Sequence, residues 1–335
     1  MMKPEFLAII TLTALLTGCG STEPTLRPAS LAQTTTSARI SEARDRHLVP
    51  ASGSKDEGLY ASALVNSKSF VYGYPRNNKN NQPPVCSESV SVAGNVAVDA
   101  EGDLIVPGGY TVSVFRGPDM CGPMIGTLST GSSGYAVDAA SADAANGTIA
   151  VAAIQNGSGP GSIELCTLKA GCTRYLRGTG MNIVYGIAMA KDGDCWASWE
   201  QGPSKSYAAY LTYFKACSGN GERSTGYQNP SAGGIDIDRS GNIVAISYST
   251  SAVYVYSGCK PKCRLLAGPL SLHGAARYGH LDEQSNRLAT ADSQHNKIDI
   301  YAYNESSLSY LYSFNRGLPK TSGAIGAAYN PRSKE

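Results

Sequence analysis

The chain carries little charge. Asp, Glu, Lys and Arg make up 16% of its 335 residues, where a soluble domain usually has about a quarter. Lys plus Arg nearly balance Asp plus Glu, 28 against 26, for a formal net charge of +2. No basic stripe stands out, so no nucleic-acid partner is expected, and the run KPKCR at Lys260 reads as a solvated turn. Phe (5), Trp (2) and His (4) are scarce. Catalytic motifs are missing as well: there is no His-Glu-x-x-His, no Gly-x-Ser-x-Gly elbow and no phosphate loop. GSGPGS at Gly157 reads as a turn between strands with no helix after it, so a nucleotide cofactor is not expected. The abundant residues are Gly (37) and Tyr (20), the profile of an exported, turn-rich β protein.

Long apolar runs are also missing, apart from one near the start. Lys3 precedes an apolar stretch from Phe6 to Leu16, about eleven residues, too short to span a bilayer of about 30 Å as a helix. It reads as the core of a secretory signal. The tetrapeptide LTGC, Leu16 to Cys19, resembles the lipobox of bacterial lipoproteins. That resemblance implies that residues 1–18 are removed as a signal peptide and that Cys19 becomes the lipidated first residue, anchoring the protein to a membrane. Gly20 and Ser21 follow the Cys, which in a double-membrane bacterium implies the outer membrane. The expected address is therefore the cell envelope, facing the periplasm or exterior. Residues 19–57, rich in Ser, Thr, Ala and Pro, have too little apolar surface to offset ordering entropy and are expected to form a flexible tether.

Residues 58–335 carry an internal repeat. NVAVDAEGDLIVPGGYTVSVF from Asn95, GIDIDRSGNIVAISYSTSAVYVY from Gly234 and GHLDEQSNRLATADSQHNKIDIYAY from Gly279 share one plan. Each has a short apolar strand, a turn with Asp, a strand of alternating small and apolar residues, a second turn and a strand ending in aromatics. Diverged copies start at Gly134 and Gly186. Val98, Val137, Met189, Ile237 and Leu281 occupy one slot at intervals of about 40 to 50 residues, and MIGTLST, TRYLRG, CRLLAG and LYSFNR supply a fourth strand. Period-2 alternation between turn residues indicates strand. Four antiparallel strands recurring at this interval predict a β-propeller, all-β, with four-stranded blades. The first strands, from Leu59, match the second and third strands of a repeat, and GAIGAAYNP near the C-terminus matches the missing first strand. The two should pair, closing a ring of six blades and leaving no unpaired edge. A monomer is expected.

NVAVDAEGDLIVPG and GIDIDRSGNIVAIS resemble the repeats of six-bladed NHL-repeat propellers and of the regucalcin and gluconolactonase-like group, over about residues 58–331. The resemblance implies the fold; function does not follow from it, because one propeller hosts enzymes, scaffolds and binders. The Asp-x-x-Gly turns at Asp99 and Asp238 could be calcium loops, but Asp bonding its own turn with Gly at positive φ accounts for them.

With Cys19 lipidated, eight cysteines remain, an even number in an oxidising compartment. Cys166 and Cys172, and Cys259 and Cys263, lie across turns between third and fourth strands. Cys195 and Cys217 lie opposite across a hairpin, and elimination pairs Cys86 with Cys121. A structural zinc site is the alternative for these spacings.

In the innermost strands, the position before the shared apolar slot reads Ala97, Ala136, Ala188, Asp236, His280 and Ala328. Two neighbouring blades thus present an acid and an imidazole where the others keep Ala. Arg277, Tyr278, Tyr185 and Asn182 are expected at the same mouth. Two readings stand: an inter-blade ion pair or turn hydrogen bond, or a ligand site in the central funnel. The gluconolactonase resemblance implies a divalent metal held by acidic and amide side chains. Here Asp236, with Asn182 or Asn95, is the only such set, fewer donors than a hard cation normally takes. The function expected is a lipid-anchored module binding an envelope protein or small ligand, without evident cofactor. A metal-dependent lactonase-like hydrolase and a structural spacer are the alternatives.

Overall fold

The structure, a computed structural model, describes residues 58–65, 68–90, 94–117, 121–131, 134–155, 161–201, 208–319 and 323–330. The expected signal peptide and tether, with Cys19, lie outside the described residues. Among the described residues no helix is long and apolar enough to cross a membrane.

Six four-stranded antiparallel sheets follow the chain. Blade 2 is β4 (Ala97–Val98), β5 (Leu104–Gly108), β6 (Thr111–Phe115) and β7 (Met124–Ser129). Blade 3 is β8 (Gly134–Ser141), β9 (Ile149–Gln155), β10 (Gly161–Thr167) and β11 (Gly171–Leu176). Blade 4 is β12 (Ile183–Met189), β13 (Cys195–Glu200), β14 (Ala209–Phe214) and β15 (Glu222–Arg223). Blade 5 is β16 (Ile235–Ile237), β17 (Ile243–Ser247), β18 (Ala252–Ser257) and β19 (Arg264–Ser271). Blade 6 is β20 (Ala276–Leu281), β21 (Arg287–Asp292), β22 (Lys297–Asn304) and β23 (Ser307–Phe314). Blade 1 combines β1 (Gly58–Val65), β2 (Lys68–Pro75) and β3 (Cys86–Val90) with β24 (Ala324–Tyr329), in the order β24-β1-β2-β3. The C-terminal strand is thus the inner strand of the N-terminal blade, with Leu59 opposite Tyr329 and Ala61 opposite Ala327. Each inner strand touches the next around the ring.

The strands alternate because both faces of each blade are buried. In β17, Ile243 and Ala245 pack against blade 4, whereas Val244 and Ile246 pack against blade 6. β9 divides the same way, with Ile149 and Val151 on one side and Ala150 and Ala152 on the other. The buried apolar residues form six clusters, each lying between two neighbouring blades. A single blade would leave two such faces in water, so stability belongs to the ring.

Four disulfides join Cys86 to Cys121, Cys166 to Cys172, Cys195 to Cys217 and Cys259 to Cys263. These are the partners that spacing and elimination suggest, and the thiolates a zinc site would need are consumed. Three bonds lie within a blade. Cys86–Cys121 ties the outer strand of blade 1 to the approach of β7 in blade 2.

Candidate functional site

The Asp-x-x-Gly turns explain how the channel is framed. Asp99 Oδ1 accepts the backbone N–H groups of Glu101 and Asp103 at 2.9 Å, and Gly102 sits at φ 89°. Asp238 Oδ1 accepts those of Ser240 at 3.0 Å and Asn242 at 2.8 Å, with Gly241 at φ 78°. Each second carboxylate oxygen goes to the following blade: Asp99 Oδ2 to the N–H of Ala144, and Asp238 Oδ2 to the Tyr303 hydroxyl at 2.9 Å. The turns are therefore explained by hydrogen bonding alone. Burial pushes the Asp99 carboxyl up to about 6, against the bonds it accepts from Ala144 and Asp103.

On the inner wall, Asp236 and His280 do meet. Asp236 Oδ2 lies 3.4 Å from His280 Nδ1 and also accepts the backbone N–H of Leu281 at 2.8 Å. Asp236 Oδ1 accepts its neighbour Ile237 N–H at 2.7 Å. Beneath them are Asn95 and Asp138, both fully buried. Asn95 Nδ2 is 2.8 Å from His280 Nε2 and donates to Asp138 Oδ1 at 2.9 Å. Asp138 Oδ2 accepts Ile187 N–H of blade 4 at 3.0 Å. Burial, only partly offset by the His280 charge and these bonds, raises the Asp138 carboxyl to about 6. For His280, burial works against the charged ring, but hydrogen bonding and attraction to Asp236, with Asp138 beyond, raise its pKa above the ordinary value.

Asp138 escapes the repeat alignment, which places it at the turn position of Asp99. A register shift between Ala136 and Asp138 changes the strand's facing, and β8 runs on to Ser141. The turn moves to Asp143, whose carbonyl accepts Gly147 N–H at 2.8 Å. The bulge sends the Asp138 carboxylate to the inner strands, as bulges do when they re-aim a side chain. The long interval between Val137 and Met189 was the available signal.

Asp236 and His280 line a cavity of about 830 Å³ formed at the end of the channel where the inner strands lead into the Asp turns. Arg277, Tyr278, Tyr185 and Asn182 do not line it, which corrects the expectation of one shared mouth. Arg277 precedes His280 by three residues, about 10 Å along an extended strand, on the side away from the cavity. Its guanidinium packs over the Tyr185 ring at 5.1 Å and the Tyr248 ring at 4.5 Å. Tyr278 is buried, with its hydroxyl pKa raised by burial. Asn182 Nδ2 donates to Gln201 O at 2.7 Å, and Asn182 does not share the cavity wall with Asp236, so the Asp236–Asn182 metal set is not assembled. The residues near Asp236 offer a poor set for a hard cation, because both its oxygens and the Asn95 carbonyl accept backbone N–H groups. Elsewhere, carboxylate oxygens of Asp99, Asp103 and Asp143 lie within 4.8 Å of one another, but Asp99 is engaged by the turn described, Asp143 Oδ1 by the N–H of Asn146 at 2.9 Å and Asp103 by the N–H of Gly117 at 2.7 Å.

The acids at the cavity are spoken for. Asp192 pairs with Lys260 at 3.0 Å, and Asp282 and Glu283 with Arg76 at 3.2 and 2.7 Å. Lys191 and Arg239, from blades 4 and 5, line the cavity and form no ion pair with a carboxylate among the described residues.

No protein-family profile matches the sequence, and no curated protein does. Among solved structures, the chain resembles a protein of unknown function from Bacteroides caccae at 10% identity, over 83% of this chain and 100% of the other, with a TM-score of 0.56. It also resembles a chain of a nidogen/laminin complex at 13% identity, over 82% and 98%, with a TM-score of 0.58. The periplasmic gluconolactonase of Pseudomonas aeruginosa matches at 12% identity, over 80% and 99%, with a TM-score of 0.52. At such identities the likeness is one of fold, and the fold is a six-bladed β-propeller with distant lactonase-like neighbours.

Proposed function

We propose that this protein is a lipid-anchored propeller of the bacterial cell envelope that binds a small polar ligand, bearing at least one anionic group, in the cavity at the end of its channel. Cys19 would hold the membrane, and residues 19–57 would set the distance. The observation that carries the binding reading is the pair of rim cations, Lys191 and Arg239, facing a cavity whose acids already have partners. Arg239 can grip a carboxylate or phosphate through two parallel hydrogen bonds.

The test is a calorimetric and thermal-shift screen of small carboxylates and phosphate esters against the wild type and a Lys191→Ala/Arg239→Ala variant. Binding weakened by at least about tenfold in the variant, with an unchanged melt, is expected. Absence of any anionic ligand for the wild type, or equal affinity in the variant, would reject the reading and leave the spacer role.

A second reading is hydrolysis of a lactone. It is favoured by the Asp236–His280 pair facing the cavity and by the fold shared with a gluconolactonase. Because His280 Nε2 faces Asn95 and Nδ1 faces Asp236, the base activating water would be Asp236. Lactone turnover measured with and without added divalent cation, and abolished by Asp236→Asn, would support it. Turnover unaffected by that substitution would not. His280→Ala and Asp236→Ala separate function from structure. If the pair mainly joins blades 5 and 6, both variants lose stability, and if it serves the cavity they lose binding with little change in the melt.

A further inference from the structure

Four side chains from four blades form one chain of contacts at the cavity floor: Asp138, Asn95, His280 and Asp236. Blades 2 and 6 are not neighbours. Asn95 reaches His280 past β24, where Gly326 leaves the room; a Cβ there would lie 2.5 Å from Asn95 Oδ1. The orientation of the Asn95 amide follows from its partners. Oδ1 accepts Val96 N–H at 3.0 Å, so Nδ2 is the end that faces Asp138 and His280, and its two hydrogens supply one bond to each. His280 Nε2 is then an acceptor, and the ring is neutral with its proton on Nδ1, toward Asp236.

We propose that this bridge is a proton-operated latch, in which Asn95 acts as a positioning residue that holds His280 neutral and the floor closed. A second proton, taken from solvent by Nε2, would set an N–H against the Asn95 N–H, break that bond, and leave the imidazolium between two carboxylates. The two states compete on clear terms. Asn95 bonds only to the neutral ring, while Asp236 on β16 and Asp138 on β8 favour the charged one. Among the described residues, Asp236 and Asp138 are the charged groups that act on the ring; β21 places Ala289 opposite it, β24 offers Ala328 to the same cavity, and β17 packs with Val244 and Ile246. The cavity floor thus changes its shape and charge in mild acid, whatever ligand the cavity takes.

The experiment is an NMR titration of the His280 ring, assigned with His280→Gln, together with hydrogen exchange of the Val96 amide that Asn95 holds. Three results are expected: a ring protonated on Nδ1 at pH 8, a pKa raised by about one unit in Asn95→Ala and lowered by a similar amount in Asp236→Asn, and about tenfold faster Val96 exchange below the His280 pKa after correction for intrinsic rates. In His280→Gln, whose amide oxygen can accept from Asn95 at every pH, that inflection should vanish. A ring protonated on Nε2 at pH 8, an unmoved pKa in Asn95→Ala, or Val96 exchange without an inflection would overturn the latch. Should Asn95→Ala fail to fold, the tautomer and the Val96 exchange, both read in the wild type, decide the matter.

Discussion

Arg76 should be one of the most costly side chains to remove, although it stands in a loop. It follows β2, is 3% exposed, and joins three parts of the closure seam. Its Nη1 donates to the Asn330 carbonyl at 2.9 Å, just beyond β24. Its Nη2 donates to Asp282 Oδ2 at 3.2 Å and Glu283 Oε2 at 2.7 Å in blade 6, and the guanidinium lies 5.0 Å from the Tyr329 ring centroid. Glu283 keeps contact with water, but Asp282 is 4% exposed. Arg76→Ala would strand that buried carboxylate, a change worth about 3 to 5 kcal/mol, with about 0.5 to 2 kcal/mol more from the lost ring contact. At about 2 to 4 °C per kcal/mol for a domain of this size, the melting midpoint should fall by roughly 7 to 28 °C in a calorimetric scan. Arg76→Lys should recover only part, since an ammonium cannot make the fork. The double variant with Asp282→Ala should cost clearly less than the sum of the singles, because neither charge is then left alone. A single variant melting within about 2 °C of wild type, or strict additivity, would refute the reasoning.

The other predictions concern closure, cross-links, pH and anchoring. Deleting residues 323–335 removes β24 and its buried Ala324, Ala327, Ala328 and Tyr329, so the cooperative melt should be lost; an unchanged midpoint would exclude the latch role of that strand. Replacing Cys86 and Cys121 by Ser opens a link of sequence separation 35 and should cost about 4 kcal/mol by loop entropy. The Cys166–Cys172 link, of separation 6, should cost only about 2 kcal/mol; urea midpoints in the reverse order would contradict this. Asp99 and Asp138, both raised to about 6 by burial, stabilise the fold while protonated. Their contribution is complete below the unfolded carboxylate value and lost as pH rises through about 6. His280, whose neighbouring carboxylates outweigh burial, acts in the same sense, losing its contribution as pH rises through a folded value above 6.5. The midpoint should therefore be higher at pH 5 than at pH 7.5, and a rise over that interval would contradict the assignment. Finally, Cys19→Ser should move the protein from membranes to the soluble exported fraction, and membrane retention after detergent-free washing would exclude lipidation.

Blade number and ring closure were legible because they depend on local chemistry that repeats. The slot shared by Val98, Ile237 and Leu281 alternates with turn residues whose spacing is the length of a blade, and an unmatched strand at each end of the repeats leaves only one way to pair. Hairpin geometry likewise made the short cysteine pairs readable. The candidate site was legible in half: Asp236 and His280 stand out against Ala at equivalent positions, and they do face one another. What they touch was hidden, because Asn95 reaches His280 across an intervening blade and Asp138 depends on a bulge that shifts register by one residue. Arg277 and Tyr185 were assigned to the wrong end because nearness in sequence hides strand direction. Three residues of extended chain move a side chain about 10 Å along the channel.

The same carboxylate chemistry explains why the repeat specifies the fold more strongly than any activity. Inner strands have one edge that faces the channel and carries backbone N–H groups without a strand partner, and blades must also be joined to one another at their turns. Asp answers both needs. At the turns, one oxygen closes the Asp-x-x-Gly loop while the other reaches the next blade, from Asp99 to Ala144 and from Asp238 to Tyr303. Along the channel, Asp138 accepts from Ile187 and Asp236 from Leu281, again in the next blade each time. All four bonds run in the same direction around the ring, as expected when every blade presents the same face to its successor. Asp236 differs from the rest in one respect: it is the inner carboxylate that also meets an imidazole and faces the cavity. Any chemistry built on Asp236 therefore uses a residue that already holds two blades together, and substitutions there will report on ligand and fold at once unless the two readouts are measured side by side.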